Sequence, residues 1–152
     1  AIVQDVDLSG ADLTEANFHA VNLSGSNFAG ATMIRTSLTK TNMIGVNLSG
    51  ADLTGANLSE AKLHDADMRG ANMHKADLPT ADMTGANLRG ASFEDANLTW
   101  STMVNADLRG VNFSKANLGS ADLSGADLSG ANLTGARFCK TKMPTGMDNS
   151  DC

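Results

Sequence analysis

The residues of this sequence best suited to catalysis or metal binding are its histidines. There are three of them, His19, His64 and His74. Imidazole is the commonest metal ligand and a frequent general base, but it works only when other ligands or a nucleophile lie beside it. Whether these side chains can converge depends on the elements that hold them, which the rest of the sequence specifies.

A five-residue repeat runs through nearly the whole chain without an insertion. Counted from Leu8 in steps of five, all 28 positions up to Met143 are Leu, Met or Phe, and we call these residues the centres. All five Phe and seven of the eight Met are centres. Two residues before each centre Ala predominates, and Ser, Thr and Val are the only substitutes. Such a register indicates a repeat architecture.

Each repeat reads as a short extended side followed by a corner. Alternate residues of an extended segment share a face, so Ala and the centre point inward while the middle residue, usually Asp or Asn, points outward. The next two residues are typically Ser or Thr and then Gly, which suits the positive φ of a type II turn. Pro79 and Pro144 occupy the first turn position, where a φ near −65° fits. Four sides close a square of twenty residues, and stacked squares form a solenoid of about seven coils.

The repeats ADLSG, ADLTG, ANLTG and ANLRG resemble the A(D/N)LXX motif of the pentapeptide repeat family. The resemblance covers residues 1–143. It implies an all-β, right-handed quadrilateral β-helix in one domain, with residues 144–152 as a C-terminal capping tail. It also implies a protein without a cofactor, in a family with few if any recognised catalysts.

The square geometry separates the histidines. His64 and His74 fall on opposite sides, and His19 lies on a third. Zinc requires converging ligands, and a filled solenoid lacks the cleft in which small-molecule chemistry usually takes place. The sequence therefore predicts no metal site, no catalytic residue and no cofactor.

Stacking by twenty places three arginines, Arg69, Arg89 and Arg109, about 5 Å apart on one corner. Their guanidinium groups would repel unless they fan outward or find acids, and Asp67 and Asp107 lie two residues away on the same side. Two interpretations follow. The ladder is either a docking strip for an acidic partner or a solvated stripe that its own acids neutralise.

Four large apolar residues stand at outward turn positions, which are Ile34, Ile44, Trp100 and Val104. Single exposed apolar side chains are common on protein surfaces. Trp is nevertheless enriched at the anchors of protein interfaces, so Trp100, with Ile34 and Ile44, is a candidate for contact with a partner.

The tail FCKTKMPTGMDNSDC contains the only two cysteines, Cys139 and Cys152. They either form a disulfide, which would stabilise the tail by roughly 3 kcal/mol through loop closure, or remain two exposed thiols. The tail is similar to the Cys-bracketed tails of exported cyanobacterial family members. That similarity, with a disulfide, predicts an extracytoplasmic location in periplasm or thylakoid lumen. Met147 is expected to cover Phe138 and Met143.

The composition limits the partners. A net charge of −6 and a pI near 4.8 disfavour nucleic acid, and no apolar run approaches the roughly 18 residues of a membrane span. The first coil contains Ile2, Val3 and Val6 with little to cover them. Either upstream residues were removed, or this end associates with another molecule end to end.

We therefore predict a non-enzymatic structural or protein-interaction module whose partner is a protein. The family also suggests an alternative, an acidic rod that mimics DNA and binds a type II topoisomerase. Such a mimic needs continuous negative strips, whereas one corner here alternates positive and negative residues: Glu15, Arg35, Lys75, Asp95 and Lys115.

Overall fold

The computed structural model describes residues 1–152 and is an all-β solenoid without helices. Parallel bridges join residues twenty apart along the chain, from Ile2 with Asn22 to Asp122 with Lys142. Each coil therefore holds four five-residue repeats, as predicted. One bridge residue per side is too short for a regular strand. The exceptions are β1, Thr141–Met143, and β2, Gly146–Asp148, which form an antiparallel hairpin.

The interior is filled by the centres and their small companions, as the sequence predicts. Leu53, Met73 and Phe93 are fully buried, and the buried hydrophobic residues form one continuous cluster. Phe93 and Phe113 stack with their ring centroids 5.4 Å apart. In each column the side chain of one coil packs on the equivalent side chain of the next coil. The burial of each layer therefore depends on its neighbours.

The corners are hydrogen-bonded turns with a left-handed second residue. At one of them Ala51 N–H donates to Leu48 O over 3.1 Å, and Gly50 has φ of +64°. Gly50 N–H also donates to Arg69 O of the next coil over 2.8 Å. Positive φ recurs at the second turn residue of every corner from Asp5 to Lys140, although 15 of these residues are not Gly. A positive φ at this position is what a type II turn requires, and it occurs here whether or not the residue is Gly.

The outward middle residue is usually Asp or Asn because its side chain caps the turn that follows. Asp52 Oδ1 accepts the backbone N–H of Thr54 over 3.0 Å and its hydroxyl over 2.6 Å. Pro79 has no N–H to cap, and the preceding Asp77 instead accepts Asn97 Nδ2 over 2.7 Å. The contact between Asp52 and the N–H of Thr54 is a local Asx turn, a motif that satisfies backbone donors at corners.

Three parts of the outer surface are used below, each defined by its column. The glycine corner is Gly10, Gly30, Gly50, Gly70, Gly90, Gly110 and Gly130. The Trp corner is Ala20, Lys40, Glu60, Thr80, Trp100, Ser120 and Lys140. Two repeats separate them within each coil, so they lie diagonally opposite. The His64 face is the side that follows the Trp corner, with outward middle residues Asn22, Asn42, Lys62, Asp82, Thr102 and Asp122.

Candidate functional site

The three histidines lie on different sides of the solenoid. No group of three or more His, Cys, Asp or Glu side chains is arranged to hold a metal ion. The histidines therefore do not form a common site.

The arginine ladder beside the glycine corner is not uniform. Arg69 donates from Nε and Nη2 to the two carboxylate oxygens of Asp67, over 2.8 and 2.6 Å. Arg109 makes the same two-point contact with Asp107, over 2.8 and 2.5 Å. The hydrogen bond from Arg109 lowers the pKa of Asp107 to about 2, and that from Arg69 lowers the pKa of Asp67. Two of the three predicted ladder residues are thus neutralised within their own repeat.

Arg89 differs from both neighbours because the residue two positions earlier is Asn87 and not Asp. Asn87 Oδ1 accepts the backbone N–H of Arg89 over 3.2 Å, so the turn is still capped. No carboxylate lies within ion-pair distance of the Arg89 guanidinium, which is exposed. The middle arginine consequently keeps its charge and its side-chain donors available.

Trp100 is the most prominent residue of the Trp corner. It is 67% exposed and has φ of +61°. Its backbone N–H donates to Gly119 O over 2.9 Å, so the main chain continues the stack normally. For a bulky residue this region of φ is a genuine outlier. The structure thus holds the only Trp of the chain in a strained, outward position.

The surface has a single groove, of about 500 Å³, which runs from the Trp corner onto the His64 face. Its lining residues are Glu60, Ala61, Lys62, His64, Thr80 and Asp82. Trp100 occupies the corner position one coil beyond Thr80. The groove is open and is lined by Ala61 and five polar or charged residues, so it presents hydrogen-bonding groups beside a large apolar ring.

Within the groove His64 and Asp82 form a contact between adjacent coils. His64 Nε2 lies 2.9 Å from Asp82 Oδ2, and Asp82 Oδ1 accepts the N–H and hydroxyl of Thr84 over 3.1 and 2.7 Å. Lys62 replaces the usual Asp or Asn, so it cannot cap the N–H of His64. Sequence reasoning missed this pair, although stepping by twenty aligns Lys62 with Asp82.

The apolar candidates do not form one patch. Ile44, 40% exposed, stands in the same turn column as His64, one coil earlier, and the half-buried Val104 is in that column too. Ile34 is half-buried at a different corner. The structure therefore places Trp100 and Ile44 at the two ends of the groove region, and separates them from Ile34 and from the arginines. Their roles in binding stay predictions.

The C-terminal tail is tied to the last coil by the predicted Cys139–Cys152 disulfide. Phe138 N–H donates to Asp151 Oδ2 over 2.6 Å, and Lys140 N–H donates to Asn149 Oδ1 over 2.9 Å. In the body of the solenoid, carbonyl oxygens of the next coil accept from these two positions, as Leu118 N–H donates to Arg137 O. The tail thus supplies side-chain oxygens where another coil would supply carbonyls.

The expected covering of the last layer by Met147 is wrong. Met147 remains 57% exposed on β2, where it pairs with Lys142 of β1. The tail contacts the last coil through the side-chain oxygens of Asn149 and Asp151, which follow β2, and not through this apolar side chain. Because Lys142 also bridges Asp122, β1 belongs to the stack, and the division between residues 1–143 and 144–152 stays a prediction.

The first coil is more open than the body. Ile2 is 77% exposed and Val3 is 38% exposed, while Leu8, Leu13 and Phe18 are partly buried. No helix of the structure has the length and hydrophobicity to cross a membrane.

Comparisons with known proteins agree with this geometry. The family model for pentapeptide repeats matches in eight copies, at residues 1–30, 16–55, 51–90, 91–130 and 106–143. No curated protein matches the sequence. A solved pentapeptide repeat protein from the Arabidopsis thaliana thylakoid lumen is similar to this chain at 33% identity. The match covers 61% of this chain and 67% of that one, with a TM-score of 0.59.

Two further solved structures are similar to the chain, with low TM-scores. HetL, a pentapeptide repeat protein involved in heterocyst differentiation regulation in the cyanobacterium Nostoc sp. strain PCC 7120, is 25% identical. That match covers 95% of this chain and 88% of HetL, with a TM-score of 0.35. QnrB1, a plasmid-mediated fluoroquinolone resistance protein, is 20% identical over 90% of this chain and 79% of its own, with a TM-score of 0.40. The unbroken five-residue register, the coil of twenty residues and the family match together place this chain in the pentapeptide repeat family.

Proposed function

We propose that this protein is a non-enzymatic interaction module that binds a protein partner through the Trp corner. The observation that carries the proposal is Trp100, held exposed in a left-handed conformation that Gly adopts without strain. A left-handed residue with a Cβ costs roughly 1–2 kcal/mol. The other 14 non-Gly second turn residues share this cost, and Trp100 differs from them in leaving a large aromatic side chain exposed, as at interface anchors.

The surroundings of Trp100 support a protein partner. An aromatic anchor flanked by polar groups is typical of an interface hot spot, where the ring fills a pocket and the rim makes hydrogen bonds. Here the groove lined by Lys62, His64 and Asp82 supplies the polar groups, and Ile44 supplies further apolar area beyond them. The absence of catalysis stays a prediction.

The proposal also includes the compartment and the finer architecture. The Cys139–Cys152 disulfide favours an oxidising compartment, and the 33% identical neighbour comes from the thylakoid lumen. We infer an extracytoplasmic location, in periplasm or thylakoid lumen. We also infer from the family resemblance that the solenoid is right-handed, with about seven coils of twenty residues.

Site-specific photo-crosslinking tests the Trp corner directly. A crosslinker replaces Thr80, one coil from Trp100, while the matched control carries it at Ala20, on the same corner four coils away. We expect a saturable protein adduct from position 80 only, and its loss when the same chain carries Trp100→Ala. An adduct that survives Trp100→Ala, or that forms equally from position 20, would rule out Trp100 as the anchor.

The alternative, a DNA mimic that binds a type II topoisomerase, has weaker support. Exposed Arg89 and the ion-paired Arg69 and Arg109 interrupt the negative charge beside the glycine corner, and Arg35 pairs with Glu15 over 2.6 Å at another corner. A gyrase supercoiling assay separates the two functions. Supercoiling unchanged by excess protein is expected, and inhibition would favour the mimic.

End-to-end self-association through the first coil completes the proposal. The exposed Ile2 and Val3 supply apolar contacts for a second copy. Analytical ultracentrifugation of the wild type against a variant with Ile2→Lys and Val3→Lys is the test. We expect a concentration-dependent increase in mass only for the wild type, and identical profiles would contradict it.

A further inference from the structure

One corner of the solenoid contains arginines in two different electrostatic states. Arg69 and Arg109 each engage an Asp of their own repeat through two nitrogen atoms. Arg89 has no such partner, because Asn87 replaces the Asp at the equivalent position. The backbone is the same in all three repeats, so the difference lies only in one side chain.

We propose that the Arg89 guanidinium and the Asn87 side-chain amide form a binding site for a carboxylate of a partner protein, an Asp or Glu side chain in an acidic segment. This site lies diagonally opposite the Trp corner and is separate from the surface proposed above. A partner that reaches both corners would have to wrap around the solenoid, so the two sites bind different segments or different partners.

The neighbouring repeats indicate how the carboxylate is recognised. In each of them a carboxylate receives two parallel N–H bonds, from Nε and Nη2 of the arginine. That two-point geometry is the strong and specific form of the pair. Arg89 presents the same group with no internal acceptor, and the Asn87 Nδ2 donates no hydrogen bond in the structure. A carboxylate from outside can therefore accept hydrogen bonds from the Arg89 guanidinium and from Asn87 Nδ2.

The charge distribution favours a single carboxylate over a polyanion. Asp67 neutralises Arg69, and Asp107 neutralises Arg109, which also lies 3.9 Å from Asp127. The strip consequently offers one guanidinium with no carboxylate in contact, at Arg89. A nucleic acid requires several cationic contacts along its backbone, whereas one carboxylate requires one guanidinium.

The site is sterically open. The adjacent glycine corner carries no side chains, and at Gly70, Gly90 and Gly110 an added Cβ would lie more than 4 Å from any heavy atom outside the two neighbouring residues. A partner segment can thus approach the backbone beside Arg89 without displacing anything. The exposure of Arg89 itself leaves its guanidinium free to take up the bidentate orientation.

NMR titration of the intact, disulfide-bonded protein with hexaglutamate tests the proposal, using the Nε–Hε resonance of Arg89 and the amide signals of the corner. We expect Arg89→Gln to weaken binding roughly five-fold, as for loss of an exposed charge pair. Asn87→Asp keeps Arg89 but supplies an internal acid, and should weaken binding as much. Asp67→Asn frees Arg69 and should tighten binding about two-fold.

Two results would contradict a carboxylate site at Arg89. If Asn87→Asp binds hexaglutamate as tightly as the wild type, the proposal is overturned. The same holds if a six-nucleotide single strand binds as well as hexaglutamate and with the same dependence on Arg89. Trp100→Ala should leave the titration unchanged. If hexaglutamate binding does not depend on Arg89, the Arg89 site is overturned. The photo-crosslinking result would be unaffected, because it tests the Trp corner independently.

Discussion

The glycine corner and the Trp corner have the same backbone and opposite compositions. Their second turn residues have φ of +62° to +71° and of +54° to +61°, respectively. All seven residues of the first column are Gly, and none of the second is. One corner thus adopts the left-handed turn without steric strain, whereas the other adopts it with seven side chains in place.

The comparison shows that stacking, and not the local residue, determines the turn. At both corners the N–H of the second turn residue donates to a carbonyl of the next coil, over 3.0 Å for Gly90 and 2.9 Å for Trp100. These bonds, with the buried centres on either side, hold the conformation against its local cost. A residue other than Gly is then tolerated at the turn, and Trp100 is the largest of the 15 examples.

The largest effect is expected at the last coil of the Trp corner. Replacing Cys139 and Cys152 together by Ser should lower the free energy of unfolding by about 3 kcal/mol, because the disulfide closes the tail onto the coil. Hydrogen exchange should accelerate at the amides of Phe138 and Lys140, because these N–H groups donate hydrogen bonds to side-chain oxygens of the tail. Amides of the central coils serve as the control. Unchanged exchange at the last coil would show that the tail stays docked without its disulfide.

A substitution at the glycine corner tests the cost of the left-handed turn. Gly90→Trp places at φ of +68° the side chain that the other corner carries at +61°. Outside the two neighbouring residues no heavy atom lies within 4 Å of the new Cβ, so the loss should be the conformational cost of about 1–2 kcal/mol, less the roughly 0.5–1 kcal/mol of freedom that Gly loses on folding. Chemical denaturation measures it. A loss well above this range would indicate that the two corners are not equivalent in backbone.

Beside the Trp corner, Ser101 is a buried polar residue with no hydrogen-bond partner for its hydroxyl. Ser101→Ala should raise the free energy of unfolding by about 1 kcal/mol, since an unsatisfied buried group is removed. Thr141→Ala is the matched control in the same inner column, because Thr141 Oγ1 donates to Leu118 O over 2.7 Å. Thermal unfolding should move in opposite directions for the two variants, and a loss in both would contradict the assignment.

Trp100→Gly should stabilise the protein slightly while abolishing the crosslink proposed above. Relief of the left-handed strain gains roughly 1–2 kcal/mol, and the greater freedom of Gly in the unfolded chain removes roughly 0.5–1 kcal/mol of that gain. Trp100→Ala keeps the strain and should leave stability nearly unchanged. Equal stabilities of the Gly and Ala variants would show that the corner is not strained.

The smallest expected effect is the loss, at low pH, of the stability that Asp107 contributes in the arginine ladder. Asp107 has a pKa of about 2 in the folded protein against an ordinary value of 3.8, chiefly because Arg109 hydrogen-bonds to it. The carboxylate therefore contributes stability above about pH 4, and that contribution is lost as the pH falls through about 2. Stability curves of wild type and Asp107→Asn should converge over this interval. A difference that stayed constant would mean that the pair adds no pH-dependent stability.

Much of the fold could be predicted from the sequence, and less of the site. The centres, the corners and the disulfide are confirmed, because each depends on a residue type at a fixed register. The unequal arginines could also have been found, since Asp67 and Asn87 occupy equivalent positions. The covering role given to Met147 was wrong, because Met147 lies exposed on the hairpin and the polar residues that follow the hairpin, Asn149 and Asp151, bond to the coil edge. The five-residue register contains no information on that hairpin.

By itself, the sequence determined the period, the inward columns and the coil of twenty residues, because side chains of one size and polarity at every fifth position can be buried together in only a few ways. Tertiary structure alone decided that all 28 second turn residues adopt a positive φ, with or without Gly, and that His64 meets Asp82 beside Thr80 and Trp100. These features arise from hydrogen bonds and contacts between coils, which join residues about twenty positions apart and which no single repeat specifies.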